Sequence, residues 1–230
     1  MLAARPHLEP NRKTGANSLR VNEIYLSLQG ESSHQGFLCT FVRLTGCHLR
    51  CSYCDSTHSF YEGDRMTVEA VVAKVMELGA PRVELTGGEP LLQPAVYPLM
   101  EALLARGLTV MLETSGSIDV RLVPKAVHKI VDLKTPSSGE SDRNDFRVLL
   151  NMNGNDELKF VLGSRADYDW AKSMISQYRL EEQPYPMLFS TVFGKLPAKD
   201  LAEWIIADRL KVRFQLQQHK YVWPPDARGV

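Results

Sequence analysis

Cysteine is scarce in this chain. Four residues in 230, three of them crowded into one short stretch, are too few and too unevenly spread for the disulfide framework of a secreted protein. Net charge is lacking as well: 27 basic residues balance 27 acidic ones, so the overall field exerts no pull toward a nucleic-acid backbone or an anionic membrane. No apolar run approaches the length that spans a bilayer. The opening Met1-Leu2-Ala3-Ala4 meets Arg5, Pro6, His7 and Glu9 before the apolar core of a signal peptide can form. Internal repeats, low-complexity tracts and any linker that would force a second domain are missing too. These absences point to a small or neutral partner, no nucleic acid, no membrane and a cytoplasmic location.

The length suits one well-buried domain. Residues 1–20 are polar, carry Pro, Asn and Gly, and show no periodicity, which predicts a flexible N-terminal extension followed by a single domain over 21–230. From Val21 onward, short β-branched runs alternate with helical patterns, as parallel strands joined by crossover helices require. Strands are predicted at Glu23–Leu28, Phe37–Leu44, Arg82–Leu85, Thr109–Glu113, Lys129–Leu133, Glu157–Leu162, Met187–Phe189 and Val212–Leu216. Val68, Val71, Val72, Val75 and Met76 share one helical face, with Thr67 placed to cap the start and Gly79 past the end. Val96, Leu99, Met100, Leu103 and Leu104 repeat that spacing one strand later and stop at Gly107. Weaker helices are predicted at Asp167–Tyr178 and Ala198–Ala207, with Trp170 and Trp204 as core residues. Thr135–Gly154, rich in Pro, Ser, Asn and Asp, reads as a loop or lid.

Chemistry concentrates at the predicted strand ends. Cys47, Cys51 and Cys54 form CxxxCxxC directly after the second strand. Three close thiolates can bind iron or zinc, and they leave a tetrahedral metal one open position. Thr86-Gly-Gly-Glu-Pro90 follows the next strand, where two glycines let the backbone approach a ligand and Glu89 offers an acceptor. Glu113-Thr-Ser-Gly116 and Asp132-Leu-Lys-Thr-Pro-Ser137 end the two after that. Any one of these is readily a turn; four at the same end of a parallel sheet predict one shared cavity. Cys39, inside an apolar strand, reads as a small buried residue.

CxxxCxxC followed by Thr-Gly-Gly-Glu-Pro resembles the radical S-adenosylmethionine superfamily. Leu26-Ser-Leu-Gln-Gly-Glu31, Phe41-Val-Arg-Leu-Thr-Gly46, Cys54-Asp-Ser56, Glu113-Thr-Ser-Gly116, Asp156-Glu-Leu-Lys-Phe160 and Gln215-Leu-Gln-Gln-His-Lys220 with Trp223 narrow the resemblance to the 7-carboxy-7-deazaguanine synthase family, over about residue 21 to the C-terminus. The fold so implied is α/β, an incomplete or modified (β/α) barrel of the radical SAM type. The implied reaction converts 6-carboxy-5,6,7,8-tetrahydropterin into 7-carboxy-7-deazaguanine with ring contraction and release of ammonia, on the way to queuosine and related bases. The three cysteines would hold three irons of a 4Fe-4S cluster, and the fourth iron would bind S-adenosylmethionine, since one electron passes to the sulfonium only on contact.

The resemblance implies cofactor contacts at Tyr53, Cys54, Asp55, Gly88, Glu89, Ser115 and Lys134. Many members carry Ser-Pro-Lys where this chain has Lys134-Thr135-Pro136-Ser137, so the register of that loop departs from the family form. Mg²⁺ is implied two positions after the last cysteine, where a threonine is common and this chain has Ser56, still a hard oxygen ligand. Substrate contacts are implied at Leu28, Gln29, Gly30, Glu31, Arg43, Thr86 and His219. A guanidinium suits the pterin carboxylate, and an amide with a carboxylate suits the lactam edge. Arg43 reads equally as an ion-pair partner, Gln29-Gly30 as a turn, and His219 as a structural hydrogen-bonding residue. No side chain is assigned as catalytic beyond these groups. An external one-electron reductant such as a flavodoxin and a homodimer complete the implied partners. Two other readings compete: a radical activase acting on a protein glycyl backbone, which needs a wide mouth, and a zinc-stabilised binding module with His48, His58 or Cys39 as fourth ligand.

Overall fold

The computed structural model describes residues 8–10 and 16–230. The extension expected over residues 1–20 thus lies partly outside the described residues. Of the rest, Leu8 bridges to Ile118, and Glu9 pairs with Arg121 and Arg147 at 2.7 and 3.0 Å. Among the described residues, nine strands form one open sheet: β1 Ser18–Leu28, β2 Leu38–Leu44, β3 Asp64–Thr67, β4 Arg82–Gly87, β5 Thr109–Thr114, β6 His128–Asp132, β7 Glu157–Leu162, β8 Met187–Thr191 and β9 Arg213–Phe214. Their order is β3-β1-β2-β4-β5-β6-β7-β8-β9. The strands from β2 to β9 run parallel, and β1 is antiparallel to both β2 and β3.

Eight of the strands match predicted runs, and β1 starts at Ser18, ahead of the predicted Glu23. The short β3 carries Asp64, Arg65, Met66 and Thr67, with no apolar alternation to mark it; its order comes from pairing with Ser18–Val21 of β1. The helices are α1 Val68–Leu78, α2 Val96–Leu104, α3 Arg165–Gln177, α4 Ala198–Asp208 and α5 His219–Val222. Thr67 caps α1 by accepting from the Ala70 N–H at 3.2 Å, and Gly79 ends it at φ 72°, a left-handed conformation that costs glycine little. Ser164 caps α3, which starts at Arg165, two residues ahead of the predicted Asp167. The short α5 holds His219, which the sequence placed merely after a strand.

Alternation within the strands sorts the residues into two cores. Val42, Leu44, Val83, Leu85, Val110 and Leu112 face the helices and pack with Val71, Val75, Leu99 and Leu103. Trp170 and Trp204 pack against this core partly buried. The alternate positions face the concave side, where polar residues collect. The loop between β1 and β2 closes the N-terminal end of this concavity: the Arg82 guanidinium lies 3.9 Å from the Phe37 ring centroid, and His34 packs on His128 at 4.8 Å. Past β9, the Gln218 N–H donates to the Gly30 carbonyl at 2.9 Å and Gln215 donates to the Ser32 carbonyl at 3.2 Å. The chain thereby ties the far edge of the sheet back to the first hairpin, and the cavity is left open at the C-terminal strand ends. Thr135–Gly154 is not a bare loop: it winds into three short 3₁₀ helices at Pro136–Ser138, Ser141–Arg143 and Phe146–Asn151, pinned by two hydrogen bonds between Asn144 and Lys134, each 2.8 Å. Among the described residues no helix is long and apolar enough to cross a membrane.

Candidate active site

The concave face encloses a cavity of about 660 Å³, a size that suits small-molecule ligands. Cys47, Cys51 and Cys54 lie on one side of it as free, half-buried thiols. Burial pushes all three thiols up from the ordinary cysteine range, Cys51 to about 11, so without a metal they stay protonated. Among the described residues, no three His, Cys, Asp or Glu side chains converge on one point as a single ion demands. An iron-sulfur cluster makes no such demand, since it takes one thiolate per iron around its periphery. The donor set fits it.

The cysteine loop is held against the Thr-Gly-Gly-Glu turn. Gly87 sits at φ 133° and passes so close to Leu44 that a Cβ would lie 2.2 Å from its carbonyl oxygen. A Cβ on Gly88 would lie 2.1 Å from the Gly46 oxygen and 2.9 Å from the Cys47 Cβ. Both glycines are therefore required for close approach of two backbones. Gly88→Ala is expected to displace the cysteine loop, costing about 1–3 kcal/mol in overpacking and lowering the iron retained per chain after reconstitution. Unchanged iron content with an unchanged melting temperature would contradict this.

Of the residues implied to hold the cluster, the S-adenosylmethionine, Mg²⁺ or the substrate, only Glu89 is absent from the cavity wall. Its side chain is fully buried. One carboxylate oxygen accepts from the Leu91 N–H at 3.0 Å and the Thr114 hydroxyl at 2.8 Å; the other accepts from the Ser115 N–H at 2.8 Å and its hydroxyl at 2.6 Å. Both oxygens thus accept hydrogen bonds from the chain itself, and Glu89 holds Ser115 in place behind the cavity wall. From Ser115 the chain of contacts continues to Ser117 at 2.6 Å and on to His48 Nε2 at 2.8 Å, so His48 braces the cysteine loop from behind.

Tyr53, Asp55, Gly88, Ser115 and Lys134 line the cavity beside the cysteines. Lys134 pairs with Asp132 at 2.8 Å. Burial opposes its charge most strongly, but Asp132, Cys51 and Tyr53 together outweigh it and hold the ammonium well above its usual range. The Asp132 Oδ1 is buried with no hydrogen-bond partner among the described residues, an acceptor left for a ligand. Burial pushes the Tyr53 phenol up to about 12. Ser56 donates to Asp55 at 2.9 Å and accepts weakly from Arg43 at 3.4 Å, while Lys220 pairs with Asp55 at 2.6 Å.

Arg43 faces the cavity but is already engaged. It donates to Glu23 at 2.7 Å and to the Tyr25 hydroxyl at 3.1 Å. The ion-pair reading and the substrate reading are thus compatible, since two neighbours hold the guanidinium edge-on to the cavity wall. Gln29, Gly30, Glu31 and Leu28 form the closed end. Gln29 donates to Glu84 and accepts from the Glu31 N–H. Gly30 packs so tightly on His219 that a Cβ there would lie 2.2 Å from the ring Nδ1, which fixes both the turn and the imidazole. Burial lowers the His219 pKa, favouring the neutral ring. Thr86 bonds to Glu113 at 3.4 Å.

Three charged side chains of the cavity wall are given no role by any motif: Glu84, Glu113 and Lys159. Lys159 is buried, pairs with Glu31 at 2.9 Å and contacts Glu113 more closely still. Burial raises the Glu31 carboxyl, yet Lys159, His219 and Gln217 outweigh it and hold the group at about 2. The signal was present as a charged residue at an inward position of an apolar strand, in Val83-Glu84-Leu85 and Leu158-Lys159-Phe160. Cys39 is buried beside Phe41 and Met111, and burial raises its thiol strongly, as a packing residue requires. Pro225 to Val230 also form part of the wall, with Arg228 reaching Glu62 at 3.2 Å.

The family model for the radical SAM superfamily matches residues 41–190. A 7-carboxy-7-deazaguanine synthase from Chlorobaculum tepidum is 47% identical over 92% of this chain and 97% of its own. One from Koribacter versatilis is 44% identical over 92% of this chain and 100% of its own. The crystal structure of QueE from Escherichia coli superposes with a TM-score of 0.72 at 24% identity, covering 88% of this chain and 95% of that one. That likeness fixes the fold as the partial barrel of this superfamily.

Proposed function

Because the chain belongs to the radical SAM superfamily and, within it, to the 7-carboxy-7-deazaguanine synthase family, whose activity it carries, we propose that it acts as a lyase on 6-carboxy-5,6,7,8-tetrahydropterin. Ring contraction then yields 7-carboxy-7-deazaguanine and ammonia. One observation carries this reading: the three cysteines and the pterin-matching Gln29, Glu31, Arg43 and Thr86 line the same cavity. A binding module needs no such convergence, and a protein-activating enzyme has no use for the polar closed end.

Cys47, Cys51 and Cys54 would hold the 4Fe-4S cluster, and Tyr53, Asp55, Gly88, Ser115 and Lys134 the S-adenosylmethionine. When bound, this pair supplies one-electron cleavage of the sulfonium and with it a radical able to abstract a substrate hydrogen. The chain's own residues bind and orient. Arg43, fixed by Glu23 and Tyr25, offers its remaining donors to the pterin carboxylate. Leu28 supplies an apolar edge, Gln29 and Glu31 address the lactam and amino edge, and His219 closes over Gly30. Burial of this closed end excludes water from reactive intermediates. Ser56 would hold Mg²⁺; the Arg43 guanidinium 3.4 Å away opposes a cation there, so a bound substrate carboxylate would be needed to offset the repulsion. The one-electron donor is of the flavodoxin kind, the assembly a homodimer, the location the cytoplasm, and the single domain expected over 21–230 takes in β1 from Ser18.

Arg43→Lys is expected to raise the KM for the pterin by about tenfold or more, since lysine cannot reproduce the fork and one charge-assisted hydrogen bond is worth about 1.5–3 kcal/mol. Anaerobically reconstituted protein, given reductant, S-adenosylmethionine and candidate pterins, should form the deazaguanine by mass. Cofactor turnover that leaves the carboxytetrahydropterin intact would overturn the reading.

A further inference from the structure

At the closed end of the cavity, Glu31, Glu84 and Glu113 gather around a single ammonium, that of Lys159. Lys159 from β7 contacts Glu31 of the first loop and Glu113 of β5. Glu84 of β4 is only 3% exposed, and among the described residues it enters no ion pair; its hydrogen-bond partner is the neutral amide of Gln29. Glu84 is buried, Glu31 and Glu113 are half-buried and already share the one lysine, and a charge left uncompensated in such a buried place is expensive, so the group takes up a proton instead. The carboxyl without a cation is the one that holds it.

We propose that Glu84 is a neutral carboxylic acid at neutral pH and the proton donor to the nitrogen that leaves as ammonia. This rests on the ring-contraction reading above. In the step concerned, the carbon–nitrogen bond breaks with its electron pair going to nitrogen, which takes the Glu84 proton. Glu84 is left as a carboxylate. The proton lost from ring carbon as the new double bond forms restores the acid. Substrate minus ammonia is product, so no oxidant or reductant enters this step.

The surroundings favour this assignment on balance, burial most of all. Glu113 from β5 and Glu31 from the first loop repel a charge on Glu84, Lys159 from β7 favours it, and the Gln29 hydrogen bond favours it weakly; burial is the largest influence and raises the carboxyl well above its usual range. Tyr25 of β1 adds no cation, and the nearby Cys39 thiol of β2 is neutral. In the sequence Glu84 is the inward residue of an apolar strand, with Val83 and Leu85 facing the helices. A carboxylate placed for packing would have no reason to stand there.

Glu84→Gln keeps the shape and the contact to Gln29 but has no proton to give. Reconstituted holoenzyme carrying it should lose about 100-fold or more in ammonia and product release, the usual span of a general acid. Pterin binding should stay within about threefold, and S-adenosylmethionine cleavage should continue. The wild-type rate should fall as pH rises through the pKa of Glu84, and this limb should vanish in the variant. Infrared spectra of the wild-type holoenzyme with isotope-labelled glutamate should show the carbonyl band of a protonated carboxyl, absent in Glu84→Gln; Glu84→Asp should recover part of the rate. Product release within about threefold of wild type in Glu84→Gln, or a protonated-carboxyl band that persists in it or is missing from the wild type, overturns the proposal. The wild-type band stands as a test even if the variant fails to fold. Failure of the wild type to convert the pterin while showing that band would instead overturn the reaction assigned above.

Discussion

Alanine at Cys47, Cys51 or Cys54 is expected to reduce product formation to background and to remove the visible colour of the reconstituted protein. The three thiols sit on one loop at the cavity mouth, half-buried and free. Each would be the sole protein ligand of one iron, so no neighbour can substitute. His48 is turned away to Ser117 at 2.8 Å, and the Cys39 thiol is buried in a strand. The fold should survive, because the thiols contribute little to it: Cys47 accepts a long 3.4 Å contact from the Leu49 N–H. Iron and acid-labile sulfide per chain, read beside the melting temperature, separate cluster loss from unfolding. Full iron and sulfide in any of the three variants would mean that another residue ligates.

Lys159→Met should be the most destabilising single change in the cavity. Lys159 is buried between Glu31 and Glu113. Burial works against its charge, but Glu113, Glu31 and Asp132 outweigh burial and hold its pKa well above the usual lysine range. Removing one partner of a buried charge cluster strands the others and costs about 3–5 kcal/mol, or roughly 10 °C in melting temperature for a domain of this size. The sign of the pH dependence distinguishes this from a packing defect. In the wild type, the raised lysine contributes stability present below its unfolded pKa and lost as pH rises through the folded one. Glu31, held at about 2, contributes stability present above its unfolded pKa and lost as pH falls toward about 2. In Lys159→Met, burial dominates Glu31 and raises its folded pKa above the unfolded value. The variant should therefore regain stability as pH is lowered from neutral through that range, approaching the wild type. A destabilisation that stays constant between neutral and mildly acidic pH would indicate a cavity effect in place of stranded charge.

Glu89 and Glu84 stand on a neighbouring turn and strand, and only Glu89 belongs to a motif. In the folded chain their surroundings differ. Glu89 is saturated by four hydrogen bonds from Leu91, Thr114 and Ser115, whereas Glu84 faces the cavity with one amide for company. A motif records that a residue type is needed but not whether its side chain points to the ligand or to the scaffold.

By itself the sequence determined the alternation of strands and helices, the helix caps at Thr67 and Gly79, the three-thiol loop, and the clustering of Gly, Thr, Ser and Glu at four successive strand ends. These are local properties: side-chain period, backbone freedom and ligand spacing are set within a few residues of each other. The tertiary structure alone decided the rest. It ordered β3 by pairing it with β1, carried residues 225–230 to the cavity wall, tied Gln215 and Gln218 to the first hairpin, and brought Glu31, Glu84, Glu113 and Lys159 from four separate elements into one buried cluster. The physical reason is that burial and charge compensation are sums over neighbours distant in the chain. No window of sequence contains the lysine that neutralises Glu31, nor shows that Glu31 and Glu113 already engage it beside Glu84.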